Sequence, residues 1–157
     1  MSVIFKIRDK IDNLDADYVN EISDEIFKYQ PFFVTVLVGY HIDVSPEELE
    51  EIMKIYFLIW EYFKQNKNVK TKKVTEAFFE NILNRNIQML KYVDGETEQH
   101  EIQKIYVNDL QRLKSKALFA EIFHRFNSRP VLLKMEKPLN AIILLGIKSF
   151  IECFETI

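Results

Sequence analysis

Ser45-Pro46-Glu47-Glu48-Leu49-Glu50-Glu51-Ile52-Met53-Lys54-Ile55-Tyr56-Phe57-Leu58-Ile59-Trp60-Glu61-Tyr62-Phe63 decides the fold class. Serine at the N-cap, proline at the first helical position and acids in the first turn mark a helix start, and Glu48 stands where a capping box needs its carboxylate. Leu49, Ile52, Met53, Tyr56, Ile59, Trp60 and Phe63 then form one apolar stripe, while Leu58 and Tyr62 lie opposite. Such a helix, running to about Gln65, is expected to be covered on more than one side. Its polar strip holds Glu50, Lys54 and Glu61, so Glu61 reads as a solvated charge.

The neighbouring sequence repeats the helical pattern. A short helix is expected from Ser2 to Asn13, and a clearer one over Ala16 to Tyr29, where Tyr18, Val19, Ile22, Ile26 and Tyr29 keep helical spacing. Phe32 to Tyr40 is rich in β-branched residues and permits a strand, but Pro31 at its start and its helical neighbours favour a short buried helix. Further helices are expected over Val74 to Val93, Thr97 to Phe126 and Pro138 to Glu155. The last two are separated by the break at Asn127-Ser128-Arg129-Pro130. With 3 glycines and 4 prolines in 157 residues, the chain lacks the turn residues an all-β fold consumes. The expectation is one all-α domain spanning 1–157, an irregular bundle of six or seven helices around those beginning near Pro46, Val74 and Thr97.

Composition narrows the functional classes. Hydrophobic residues at 48% provide for a packed core, and 29% charge suits a solvated surface. The net charge of -3 gives no general attraction to nucleic acid or anionic membrane. The local exception is Lys64 to Lys73, where Lys67, Lys70, Lys72 and Lys73 could meet phosphates; without arginine or interleaved aromatics, a solvated connector is the preferred reading. Apolar runs at Phe32 to Tyr40 and Leu139 to Ile147 fall short of a membrane span. A single cysteine, Cys153, and an N-terminus interrupted by charge fit a reducing compartment, so a cytoplasmic location is expected.

Several chemistries lack their residues. Three scattered glycines cannot build a dinucleotide or P-loop cradle, and no Gly-x-Ser-x-Gly occurs. His100-Glu101-Ile102-Gln103-Lys104 has lysine where a zinc-protease helix needs its second histidine. Asp94-Gly95-Glu96 lacks the oxygen ligands of an EF-hand. Cys153 sits beside Glu152 and Glu155, negative neighbours that discourage a thiolate. No catalytic residue and no cofactor are assigned.

Glu121-Ile122-Phe123-His124 offers one Glu-x-x-His pair, which dimetal carboxylate bundles need twice; Val38 and Thr97 occupy the corresponding positions before His41 and His100. On a helix continuous from Thr97, Leu110, Leu113, Ala117, Ala120 and His124 share a stripe, so His124 is expected to face the core. Glu121 falls on the shoulder and pairs with Arg125 at the surface. No metal site is assigned, with Glu121 and His124 the only candidates. Asn86, in the apolar stripe of its helix, requires a buried partner.

Two functional expectations follow. The preferred one is a non-catalytic protein-interaction module that self-associates as a homodimer through Ile142, Gly146, Ser149 and Cys153, or presents another helical face to a partner. The alternative is a small enzyme or sensor with a buried polar pocket built from Asn86, Tyr106 and His124, with Glu121 at its edge.

Overall fold

Ser45 starts the central helix as its sequence requires: its Oγ accepts from Glu48 N at 3.2 Å, and the Glu48 carboxylate accepts from Ser45 N at 2.8 Å. The computed structural model describes residues 3–94, 109 and 112–157. Among these residues there are nine α-helices and no strand, so the chain is an all-α bundle. The helices are α1 (Val3–Asp12), α2 (Ala16–Tyr29), α3 (Pro31–Gly39), α4 (Pro46–Phe63), α5 (Asn68–Thr71), α6 (Glu76–Asp94), α7 (Lys116–Ser128), α8 (Pro130–Leu133) and α9 (Lys137–Thr156). A 3-10 turn, Tyr40–Ile42, follows α3. The count exceeds the expected six or seven because α5 and α8 are single turns, too short for periodicity to register.

The bundle is arranged around α4. Helices α1, α3, α7, α8 and α9 all pack on it, and α6 lies along α9. Every residue from Ile55 to Glu61 is buried, so the C-terminal half of α4 has no solvent face. Beside it the rings interlock: Phe33 stacks on Tyr56 with centroids 4.4 Å apart, Phe150 meets Phe33 edge-on at 4.8 Å, and Phe79 stacks on Phe150 at 4.1 Å. Each such pair adds to the area term by about 0.5–1.5 kcal/mol.

Burial corrects the expectation for Glu61, which is only 6% exposed. Its Oε1 accepts from Tyr18 Oη at 2.9 Å and Lys64 Nζ at 3.1 Å, and its Oε2 from Lys10 Nζ at 3.4 Å. Lysines from α1 and from the end of α4 thus neutralise a carboxylate that the packing removes from water. Burial, and then this carboxylate, raise the Tyr18 hydroxyl well above the usual tyrosine range. The Trp60 indole donates to Glu25 at 2.7 Å, satisfying the other polar group on this turn.

Helix α7 also differs from its expectation. Residues 112–115 are not helical, and α7 begins at Lys116. The buried residues are Leu118, Phe119, Glu121, Ile122, Arg125 and Phe126, centred about one residue, or about 100°, from the expected stripe. Ala117, Ala120 and His124 are exposed, while Glu121 and Arg125 lie beneath α1. Arg125 Nη2 donates to Asp12 Oδ1 at 2.8 Å and its Nε stands 3.7 Å from Glu121 Oε1; Arg8 approaches the other Glu121 oxygen at 3.6 Å. The expected Glu121–Arg125 pair is therefore a buried charge seam between α1 and α7.

Gln30, at the α2–α3 junction, fixes the lysine-rich connector. Its Nε2 donates to Val69 O at 2.7 Å and Lys72 O at 2.8 Å, and its Oε1 accepts from Val74 N at 2.9 Å. One buried amide satisfies three main-chain groups that no helix serves. Replacing it leaves the buried members unpaired, at about 1–3 kcal/mol each. Gln30→Met, which retains the apolar bulk, is expected to lower the urea-unfolding free energy by about 3 kcal/mol; a loss below about 1 kcal/mol would show that the clip is dispensable.

Candidate functional site

Lys148 interrupts the apolar run of α9 and is almost completely buried. An ammonium there must be paired, because an isolated charge removed from water costs far more than packing returns. Three acceptors surround it: Asn86 Oδ1 at 2.9 Å, Glu152 Oε1 at 2.7 Å and Asp109 Oδ2 at 2.9 Å. Asn86 Nδ2 in turn donates to Ser149 Oγ at 2.9 Å and Glu152 Oε1 at 3.0 Å. Arg85 pairs with the second Glu152 oxygen. Two cations and two carboxylates, joined by one asparagine, make a neutral network where α6 meets α9.

The network forms one side of a cavity of about 350 Å³ between α6, α7 and α9. Met89 and Leu90 come from α6, Phe119 and Phe123 from α7, and Leu144 and Leu145 from α9, with Ala141 beside them. Apolar walls with a few convergent polar groups are the usual construction of a small-ligand site. Glu155 sets the position of α7, because its carboxylate accepts from Ser115 N at 2.7 Å and Lys114 N at 3.3 Å. A side chain of α9 thereby binds the free donors at the start of α7.

A second cleft, of about 430 Å³, lies around Arg85, Arg112, Lys114, Asp109, Glu152 and Glu155. Three cations facing three carboxylates leave it no net attraction for an anion. A third hollow, of about 320 Å³, shares Phe123, Ala141 and Leu144 with the apolar cavity and extends toward Leu132, Leu133 and Met135.

The expected pocket separates into parts. Asn86 belongs to the network; Tyr106 lies outside the described residues; His124 is exposed on α7 and does not face the core. Glu121 is in the α1–α7 seam, away from His124's solvent-facing side, and no group of three or more His, Cys, Asp or Glu residues able to hold a metal occurs among the described residues. The proposed interface stripe is also corrected. Gly146, Ser149 and Cys153 are buried within the chain, and only Ile142 remains exposed, at 64%. A Cβ at Gly146 would stand 3.0 Å from Tyr40 Oη, so the small residue admits Tyr40, which bonds Tyr56 Oη at 3.1 Å. The four connector lysines, Lys67, Lys70, Lys72 and Lys73, are exposed; Lys70 lies 5.6 Å from the Tyr29 ring centroid and Lys72 Nζ donates to Ile157 O at 3.4 Å.

Lys148, Glu152 and Asp109 were missed as site residues. The available signal was one lysine within Ile142 to Ile151, with a glutamate four positions later on the same face. No known protein family, curated protein or solved structure matches the chain.

Burial, and then Glu152, push the Cys153 thiol up to about 12. Its reactive thiolate is therefore scarce in the folded protein near neutral pH and increases only as pH approaches that value. Labelling with a disulfide reagent at about pH 8 is expected to be silent in native protein and complete in urea; rapid native labelling would contradict the buried placement.

Proposed function

We propose that this protein is a non-catalytic binding module whose occupant enters the cavity between α6, α7 and α9. The carrying observation is the combination of apolar walls with a polar network whose members already bind one another. A catalytic lysine or carboxylate needs a lone pair or proton free to act on substrate. Here the Lys148 ammonium is engaged by three acceptors, and Glu152 holds Lys148, Asn86 and Arg85 together. Such an arrangement preserves the shape of a pocket and suits recognition.

Association with a protein, including a second copy, is the other reading. Leu133, 57% exposed, lines the third hollow, where Asn140 Nδ2 donates to Leu132 O at 3.3 Å and holds α8 beside α9, and Ile142 on α9 is 64% exposed. Two exposed apolar side chains give a partner helix anchoring points.

Ala141 separates these functions from folding because it lines the cavity yet is itself exposed. N-phenyl-1-naphthylamine, a neutral fluorescent probe, is expected to bind wild-type protein saturably at one site. Ala141→Phe should weaken that binding at least about tenfold, equivalent to about 1.4 kcal/mol, while leaving the unfolding midpoint nearly unchanged. No saturable binding to wild type, or equal binding to the variant, would refute the cavity as the site.

A further inference from the structure

The polar side of the cavity has an uneven supply of hydrogen-bonding capacity. Lys148 donates to Asn86 Oδ1 and Glu152 Oε1 at 2.9 and 2.7 Å and pairs ionically with Asp109 Oδ2 at 2.9 Å, so its ammonium is enclosed by three oxygens. Asn86 offers two amide hydrogens and directs them to Ser149 and Glu152. Both residues are more than nine-tenths buried, so water does not readily exchange their partners. The Asn86 hydrogens are committed and the Lys148 ammonium is enclosed, whereas Asp109 and Asn86 Oδ1 keep lone pairs to spare. Asp109 and Asn86 bring carboxylate and amide oxygens to the cavity lining, each able to accept more than one hydrogen bond.

A ligand group reaching this side therefore gains by donating and loses by accepting. An incoming carboxylate, sulfate or phosphate would have to compete with Asp109, Asn86 and Glu152 for the Lys148 ammonium. It would also stand beside Asp109. A hydroxyl or an ammonium needs no such exchange, because Asp109 on the cavity lining has oxygen lone pairs to receive it. Size sets the other half of the requirement. A cavity of about 150 Å³ holds benzene, so about 350 Å³ accommodates a medium-length alkyl chain or a two-ring body.

We infer that the cavity selects an amphipathic small molecule with an apolar body and a hydrogen-bond-donating head, an alcohol or amine, over the acid of the same body. This inference rests on the binding reading above. It adds a sign to the recognition: the head donates, and Asp109 with Asn86 Oδ1 receives it.

A matched series tests that sign. Displacement of N-phenyl-1-naphthylamine from the intact protein would be measured with 1-decanol, decylamine and decanoate at about pH 7.5, where the amine and acid are both charged. The alcohol and amine are expected to bind at least about tenfold tighter than decanoate. Asp109→Asn should remove most of the amine's advantage and improve decanoate, since the new amide supplies donors. A purely structural role for Asp109 would shift all three ligands together. If the probe binds and decanoate displaces it as well as decanol, the head-group inference is overturned while the cavity reading stands. If neither the probe nor any of the three ligands binds wild type, the cavity reading itself fails.

Discussion

A helical stretch buried on all sides requires partners for the polar side chains it carries, and residues 55–61 of α4 impose that requirement on this fold. Between Ile55 and Glu61 the side chains point in every direction and none reaches solvent. Apolar members gain from contact with α1, α3, α7, α8 and α9, at about 1.5–3 kcal/mol for each large side chain fully buried. The polar members set the positions of those helices. Glu61 draws in Lys10 and Tyr18, Trp60 draws in Glu25, and Tyr56 holds Tyr40 against Gly146. At Tyr56, Trp60 and Glu61, packing and polar satisfaction therefore choose the same arrangement.

The same requirement, transferred to α9, produces the candidate site. One face of α9 presents Phe150 and Phe154 to the central rings. Another carries Lys148 into an apolar setting, where only a network shared with Asn86, Asp109 and Glu152 can hold the charge. Glu155, one turn beyond Glu152 on a neighbouring face, binds the start of α7. Helix α9 thus fixes both the polar side of the cavity and the placement of the wall opposite. Ala141 and the separation between α7 and α9 leave room that larger residues would close.

Local pattern carried most of the helical architecture. The capping box at Ser45, the proline at Pro31 and the apolar spacing of α2 are legible because each acts over one or two turns. Helical phase was lost where one assumption spanned a break: extending a helix from Thr97 through 112–115 rotated the reading of α7, exchanging an inward His124 for an inward Arg125. Glu61 and Lys148 were hidden for another reason. A charge beside apolar neighbours looks the same whether it faces water or a distant counter-charge, and Lys10 lies 51 residues from Glu61, while Asn86 lies 62 from Lys148. Asn86 was legible as a buried polar group, but its partners were not. Gln30 carried no local signal, since its three bonds all reach at least 39 residues away.

The central functional claim is that the space bounded by α6, α7 and α9 receives a ligand. Met89 lines that space, whereas Met53 lies on α4 beside the core and outside it. Methyl-13C methionine spectra recorded during titration with 1-decanol therefore test the claim at the site itself. A saturable shift of the Met89 methyl resonance with Met53 unmoved is expected. An unmoved Met89, or equal unsaturable drift of both methyls, would contradict the claim.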